Sequence, residues 1–207
     1  MDVSGMTESD AVAMPLEEQY ELAGVRHREL HEIFADVQRE ISDGEWRESA
    51  TGSEVVPHMG GSRTMLPGAT KDNSYYFRVG RTLEGQEDVR GMLDEIADSW
   101  RAKGWDVQEE VNDISEMLRI VATTPDGYWF AAADRDGEME LKSFSPVYWG
   151  DQLELVRSIA ARRDAENEAG ATWDTTDRNE RGNAFRVPGD YRPLPAWDAI
   201  EPETSAP

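Results

Sequence analysis

The sequence predicts an α+β fold, with helices packed on one face of an antiparallel sheet. Three segments carry apolar residues at the three- and four-residue spacing of an amphipathic helix. Between residues 105 and 145, strand-like runs are separated by Asp126-Gly127 and Asp136-Gly137. Asp-Gly is a strong hairpin signal because such turns need positive φ angles. The order of elements, a helix, a strand, a helix, a four-strand meander and a final helix, is typical of the α+β class.

The chain divides into three parts by composition. Residues 1–14 are small and polar and are predicted to form a disordered leader. Residues 15–165 hold the periodic segments and are predicted to form a single α+β domain. Residues 166–207 contain repeated prolines and few apolar side chains, which predicts an extended or disordered tail.

The first helix is predicted over residues 16–41. Pro15 suits a helix start, and Ser42-Asp43-Gly44 ends the helix. Its apolar stripe has a heptad-like spacing and comprises Leu16, Tyr20, Ala23, His27, Leu30, Phe34, Val37 and Ile41. Such a stripe packs either on the chain's own sheet or second helix, which is the more common outcome, or on a partner helix, which leaves a homodimer open.

The remaining elements follow from the same kind of patterning. Runs rich in aromatic and β-branched residues predict strands, and two further stripes at helical spacing predict helices. Gly104 suits the end of the second helix. Residues 47–74 are predicted to be loop, with a short strand at Val55-Val56. The predicted strands cover residues 75–83, 105–111, 117–124, 128–134 and 138–145, and the helices cover residues 87–103 and 152–163.

The composition excludes several classes of function. The chain has 43 acidic and 21 basic residues, and its net charge is −22. Nucleic acid and anionic lipid surfaces are therefore unfavourable partners, because both attract clustered Lys and Arg. The charge favours either solubility or attraction to a basic partner. The chain has no cysteine, which excludes disulfides, cysteine metal sites and thiol nucleophiles.

Neither a transmembrane segment nor a signal peptide is predicted. No apolar run approaches the length that crosses a bilayer. The first residues, MDVSGMTESDAVAMPLEEQ, contain neither a basic segment nor an apolar one. We therefore expect either a cytoplasmic protein or the trimmed mature form of an extracytoplasmic or cell-envelope protein.

No set of residues predicts catalysis, a cofactor or a metal. His27 and His31 have the i, i+4 spacing of a zinc pair, but Arg28 stands where the metalloprotease motif has glutamate. We interpret His27 as a residue of the apolar stripe and His31 as a solvated residue. Glu138 and Glu140 share one face of a strand and are interpreted as its solvated side. Because neither a G-x-S-x-G motif nor a phosphate-binding glycine loop occurs, we expect a protein that is not an enzyme.

Surplus aromatic residues provide a candidate binding surface. Trp129 and Phe130 are neighbours on a strand and are expected to face opposite sides of the sheet. One is expected in the core under the helices, and the other on the open face with Tyr76 or Phe144. That face is either a binding patch or the surface that the tail covers. The candidate surface comprises Trp129, Phe144, Tyr148, Trp149, Trp173 and Trp197.

The stretch SPVYWGD, residues 145–151, follows the meander. Pro146 cannot continue a strand ladder, so the last strand is expected to end at Ser145-Pro146. Tyr148 and Trp149 are expected to cap the edge of the core. Gly150-Asp151 is then expected to turn the chain into the third helix.

The order of the elements resembles that of small actinobacterial cell-envelope lipoproteins of the LppA type. The resemblance covers roughly residues 16–150 and rests on the pieces DGEW, YYFRVG, RAKGWDV, DGYWFAAADRDGEMEL and SPVYWGD. It implies a place in the cell envelope and suggests no catalytic residue. In that family the meander often ends in Ser-Pro-Cys, whereas Val147 follows Pro146 here, and the lipobox cysteine is also absent.

Two functions are compatible with these observations. The first is a non-enzymatic accessory domain, envelope-associated or secreted, that binds a protein or another envelope component. The alternative is a cytosolic acidic inhibitor or immunity-type protein that neutralises a basic partner. Binding of that second kind is expected to weaken steeply with salt, because salt screens long-range attraction. An enzyme whose site the sequence does not reveal is a third hypothesis.

Overall fold

The structure, a computed structural model of the chain, describes residues 1–48, 57–61, 66–111, 118–170 and 184–199. The α-helices are α1 (Glu8–Ala13), α2 (Leu16–Ile41), α3 (Val89–Ala102) and α4 (Gln152–Glu168). The strands are β1 (Trp46–Glu48), β2 (His58–Met59), β3 (Ser74–Tyr76), β4 (Arg78–Leu83), β5 (Asp106–Val111), β6 (Leu118–Thr123), β7 (Trp129–Arg135), β8 (Glu138–Phe144), β9 (Tyr148–Trp149) and β10 (Phe185–Arg186). A 3₁₀ turn covers Trp197–Ala199. Within these ranges, no helix has both the length and the apolar character needed to cross a membrane.

Seven strands form the main sheet in the order β10-β1-β4-β8-β7-β6-β5, and every neighbouring pair is antiparallel. Strands β5 to β8 follow one another in both sequence and space, so they form the predicted four-strand meander. In the turn between β7 and β8, Asp136 and Gly137 have φ angles of 58° and 84°. Both residues are thus in the left-handed conformation that the tight turn requires. The predicted α+β class is confirmed.

Helices α2 and α3 pack on one face of this sheet. α2 contacts β4 and β8, and α3 contacts β5, β6 and β7. Strand alternation places the fully buried Phe130 beneath the helices and Trp129 on the opposite face, which we call the far face. The expectation that these two residues face opposite sides is confirmed. Burying a phenylalanine side chain contributes roughly 1.5–3 kcal/mol, so a one-residue slip that exchanged them is disfavoured.

The heptad-like stripe of α2 packs in the core of the protein. Its residues in the main core cluster are Tyr20, Ala23, Leu30, Phe34 and Val37. They pack with the sheet and with Leu155 and Ile159 of α4. If this stripe paired with a second copy of the chain, the core would be exposed. A homodimer would therefore have to use other residues.

The strand predicted over residues 75–83 is broken at Phe77. The residues before the break form β3, in a second sheet of order β2-β3-β9, and the residues after it form β4. At the break, the Ser145 hydroxyl accepts a hydrogen bond from the Phe77 N–H at 2.9 Å, and the Ser145 N–H donates to the Phe77 carbonyl at 2.9 Å. Pro146 has no N–H with which to continue the ladder, so β8 ends here as predicted.

The N-terminal residues are ordered, and the prediction of a disordered leader is wrong. The Asp2 carboxylate is buried, accepts a hydrogen bond from the Ser4 N–H at 2.9 Å and lies 3.7 Å from the Arg26 guanidinium. α1 begins with a capping box formed by Thr7 and Asp10. Composition predicts disorder here because the segment is poor in apolar residues, whereas a buried ion pair and a helix cap hold it in place.

Residues 184–199, here called the strap, are also ordered and mostly lack regular secondary structure, so this part of the tail adopts the extended one of the two predicted alternatives, extended or disordered. β10 pairs with β1 at the sheet edge, and the end of the strap contacts α2 and α4. Side chains of α2, β4 and α4 donate hydrogen bonds to strap carbonyls, and these bonds hold a proline-rich segment that cannot form a regular ladder. The donor–acceptor pairs are Arg39–Pro188, Arg81–Asp190, Arg163–Pro193, Tyr20–Pro195 and Arg162–Trp197. The rest of the tail and the predicted strand at Val55-Val56 lie outside the described residues.

Candidate functional site

The aromatic residues of the predicted binding surface lie in different parts of the structure. Tyr148 and Trp149 are interior residues, with 3% and 5% of their surface exposed. Trp129 and Phe144 lie together on the far face. Trp173 lies outside the described residues. The described residues of this set therefore do not form one continuous surface.

The far face carries a row of half-buried rings. The Trp129 and Phe144 centroids are 4.7 Å apart in an edge-to-face arrangement, and the Tyr76 centroid is 6.2 Å from that of Phe144. The charges beside this row are paired: Lys142 lies 2.7 Å from Glu140. The row thus packs against itself, and these neighbouring charges neutralise each other.

Trp197 fastens the strap to the helices. Its ring centroid lies 5.2 Å from that of Tyr20, and the Arg162 guanidinium lies 3.7 Å from the Trp197 ring centroid. Arg162 also donates a hydrogen bond to the Trp197 carbonyl at 2.8 Å. A groove of about 490 Å³ lies between the strap and α2. Trp197 therefore anchors the end of the strap to α2 and α4.

A larger groove, of about 740 Å³, lies on a neighbouring side of α2 and is called the α2 groove. One wall is α2, and the other is formed by the turn between β6 and β7 and by the residues that lead into β9. N-terminal residues also line it. The apolar lining residues are Val3, Leu22, Val25, Ile33, Pro125 and Pro146.

The α2 wall of this groove is a second apolar stripe. Leu22, Val25 and Ile33 lie outside the heptad-like stripe and are partly exposed. Because the first stripe already faces the core, a second apolar stripe is either left in contact with solvent or covered by another molecule. The spacing of these residues is the sequence signal for the groove. The opposite wall comes from a distant part of the chain, so only the fold shows that a groove exists.

Arg26 lies beneath the groove and is fully engaged by the protein. Its guanidinium donates hydrogen bonds to the Tyr75 hydroxyl at 2.8 Å and to the Ser4 hydroxyl at 3.0 Å. It also lies 3.9 Å from the centroid of the Tyr148 ring, in a cation–π arrangement, and 3.7 Å from the Asp2 carboxylate. The charge of Arg26 is therefore compensated inside the molecule, and its role here is structural.

A pair of hydrogen-bonded tyrosines, Tyr128 and Tyr148, forms part of the groove wall. Burial raises the pKa of Tyr128, and the nearby carboxylates of Glu29 and Asp126 act in the same direction. Burial also raises the pKa of Tyr148, and its hydrogen bond to Tyr128 raises it further. Both hydroxyls therefore remain protonated at neutral pH, which makes them hydrogen-bonding groups and not bases.

Three exposed carboxylates border the groove: Glu29 and Glu32 on α2, and Asp126 in the turn on the opposite wall. In the described part of the chain, neither Glu29 nor Asp126 forms an ion pair. Glu32 is 4.0 Å from Arg28, with both side chains largely exposed, a geometry that contributes little. The groove therefore combines an apolar interior with an acidic border.

Comparison with known proteins identifies no relative of this chain. No protein-family model, no curated protein and no solved structure matches the chain. The resemblance to LppA-type lipoproteins stays a prediction.

The two helix histidines are both buried. His31 is 6% exposed, so the interpretation of His31 as a solvated residue is wrong, while His27 lies in the interior as expected. Their ring centroids are 4.6 Å apart, and the His31 ring stacks on Tyr191 of the strap at 4.2 Å. Burial lowers the pKa of His27 to about 3 and that of His31 to about 2, so both are neutral at ordinary pH. They belong to the packing between α2 and the strap.

Among residues 1–48, 57–61, 66–111, 118–170 and 184–199, no three His, Asp or Glu side chains lie close enough together to hold a metal ion. In this part of the chain, the α2 groove is the site whose shape and charge best suit a binding partner.

Proposed function

We propose that the protein is a non-enzymatic binding domain whose partner is a basic protein. The observation that carries this proposal is the α2 groove, an apolar depression on a chain of net charge −22. Its border includes the carboxylates of Glu29 and Asp126, which form no ion pair within the described part of the chain. The apolar lining offers contact area that water gives up readily. The acidic border attracts a positively charged partner over a distance and disfavours an acidic one.

The chemistry around the groove supports binding in preference to catalysis. Its buried cation, Arg26, is already engaged by Ser4, Tyr75 and Asp2. Its tyrosine hydroxyls have raised pKa values and cannot act as bases near neutral pH. What remains accessible at the groove is apolar surface and carboxylate, the combination that recognises an amphipathic basic segment.

A salt series with a groove variant and a matched control tests this proposal. The groove variant is E29Q/E32Q/D126N, and the control E18Q/E87Q/D106N removes three exposed acidic groups elsewhere. Immobilised protein is exposed to extract of the cells that produce it at about 0.05 M and about 0.5 M salt, a range over which screening becomes strong. We expect a basic protein that is retained at low salt by the native chain and the control, and lost at high salt or with the groove variant. Retention that neither salt nor the groove variant weakens would contradict the proposal.

Cell fractionation separates the two settings in which such a domain would act. Recovery of the native protein in the membrane fraction or the medium supports an envelope-associated or secreted accessory domain, in agreement with the LppA-type resemblance. Recovery in the cytosol supports an acidic inhibitor or immunity-type protein. The same groove variant and salt series then apply to the partner found in that fraction.

A further inference from the structure

We infer that the α2 groove is the seat for an arginine side chain of the basic partner, held between Glu29 and Asp126. This inference rests on the proposed function and names the group that the groove recognises. Glu29 belongs to α2 and Asp126 to the turn between β6 and β7, so the two carboxylates stand on opposite walls. Both line the same groove as Tyr128, and both raise the pKa of that phenol.

The apolar lining suits the stem of the arginine. Val25 of α2 and Pro125 and Pro146 of the opposite wall line the same groove as these carboxylates. A long basic side chain lays its methylene groups along such a surface and keeps its charged head at the border. A carboxylate pair without this lining would attract any cation, whereas the groove selects a cation with an apolar stem.

The donor geometry favours arginine over lysine. A guanidinium has five N–H donors in one plane and can bond two carboxylates from opposite sides. It is also more weakly hydrated than an ammonium group, which matters at an apolar surface. The protein itself already holds one guanidinium in this region: Arg26 lies 3.9 Å from the Tyr148 ring centroid and bonds the Tyr75 hydroxyl.

The charge balance of the groove leaves room for one such cation. Arg26 is compensated by Asp2, so it does not oppose an incoming positive charge at full strength. Glu29 and Asp126 have no cation partner among the described residues, and both are exposed at the border. A single arginine therefore neutralises one of these two charges while it bonds both carboxylates.

The test uses small probes, so that it does not depend on knowing the partner. Titrations of the full chain with N-acetyl-arginine amide, N-acetyl-lysine amide and N-acetyl-citrulline amide are followed by backbone amide NMR shifts. We expect saturable shifts at residues 22–33 and 125–128 with the arginine probe, with a dissociation constant in the millimolar range, roughly −4 kcal/mol. We expect at least about threefold weaker binding of the lysine probe and no saturation with citrulline, which has the same shape without the charge.

The variants E29Q/D126N and E18Q/D106N make the same change in net charge at the groove and away from it. The groove variant is expected to weaken arginine binding at least about fivefold, and the control less than about twofold. A matching thermal unfolding curve for each variant establishes that both are folded. Three results would overturn the arginine seat. They are an equal loss of arginine affinity in the two variants, NMR shifts scattered over the acidic surface, and equal affinities for the lysine and arginine probes.

The outcomes for the seat and for the proposed function are distinct. If the arginine probe does not bind at the groove but a basic partner is still retained in a salt-dependent, groove-dependent way, the seat is wrong and the proposed function stands. If neither the probe nor a basic partner depends on the groove, both are wrong.

Discussion

The Arg26 guanidinium lies 3.7 Å from the Asp2 carboxylate, and both side chains are almost completely shielded from water. This pair joins the middle of α2 to the second residue of the chain. Asp2 also accepts a hydrogen bond from the Trp149 N–H at 3.3 Å, so the same carboxylate contacts β9. One buried charge pair thus connects the N-terminus, the longest helix and the small sheet beside the α2 groove.

Replacing Arg26 with alanine is expected to destabilise the protein strongly. The substitution leaves Asp2 as a buried carboxylate without its cation, which typically costs about 3–5 kcal/mol. It also removes the hydrogen bond to Tyr75 and the contact with the Tyr148 ring. The free energy of unfolding in urea measures the effect.

Arg28→Ala provides the control for this prediction. Arg28 lies on the same helix, is exposed, and is 4.0 Å from Glu32. Its loss is expected to change the free energy of unfolding by less than about 1 kcal/mol. Equal effects of the two substitutions would show that the Asp2–Arg26 pair is not important for stability.

Gly150 is expected to tolerate no larger residue. A Cβ atom built on Gly150 would lie 2.7 Å from Cε1 of the buried Tyr75 ring. The ring is packed against Phe77 and Tyr148, so it cannot move aside without disturbing the core. We expect Gly150→Ala to lower the free energy of unfolding by about 1–3 kcal/mol through overpacking, in addition to the backbone strain that its φ of 155° imposes on any residue with a Cβ.

Gly137→Ala separates this clash from backbone strain. Gly137 has a φ of 84°, but no atom lies within 4 Å of a Cβ built there. Its replacement is expected to cost about 1 kcal/mol, from the left-handed backbone alone. The stabilities of the two variants are compared by thermal unfolding. If the Gly137 variant were the less stable of the two, the packing argument would be wrong.

Local patterns predict the elements of this fold better than its tertiary attachments. The heptad-like stripe predicts α2, and the Asp136-Gly137 turn predicts the β7–β8 hairpin, because each signal lies within a short stretch of chain. The ordered N-terminus is not predictable in this way, because Asp2 is held by Arg26, whose position depends on the whole fold. The same holds for the strap, since the arginines that bind its carbonyls lie on α2, β4 and α4.

The candidate site could be predicted only in part. Strand alternation predicts that Trp129 and Phe130 face opposite sides of the sheet, but it does not say which of them joins Phe144 on the far face. The α2 groove needs two walls, and only one of them, the stripe containing Val25, is visible along the sequence. Tyr128 lies next to Trp129 in sequence. Its hydrogen bond to Tyr148 and the effect of Glu29 on its pKa, however, depend on how β7, β9 and α2 are arranged in space.

Trp197→Ala is expected to release the end of the strap without unfolding the domain. The substitution removes the ring contacts with Tyr20 and Arg162, at 5.2 Å and 3.7 Å respectively. Amide hydrogen exchange of residues 190–199 is expected to accelerate by at least about tenfold, while exchange in β6 to β8 is unchanged. Val187→Ala serves as the control, because Val187 lies in the strap but is half exposed. Unchanged exchange in the Trp197 variant would show that the arginine-to-carbonyl bonds hold the strap by themselves.

Acid is expected to destabilise the protein through His27 and His31. Folding lowers their pKa values from 6.5 to about 3 and about 2, chiefly by burial, with Arg163 and Arg81 acting in the same direction. As the pH falls through 6.5, the unfolded chain takes up protons that the folded chain cannot accept. Stability is therefore greatest above pH 6.5 and declines on acidification, by about 2–3 kcal/mol for both residues between about pH 7.5 and pH 5.5.

The variant His31→Phe tests the origin of this pH dependence. Phenylalanine preserves an aromatic ring beside Tyr191, whose centroid is 4.2 Å from that of His31, and it removes one titrating group. Urea unfolding at several pH values above 5.5 is expected to show about half of the native decline, because one of the two histidines remains. Tyr191→Phe keeps both histidines and is expected to retain the full decline. If the His31 variant kept the native pH dependence, other groups would be responsible for the decline. The His31 imidazole would then not be a group that takes up a proton in the unfolded chain but not in the folded one.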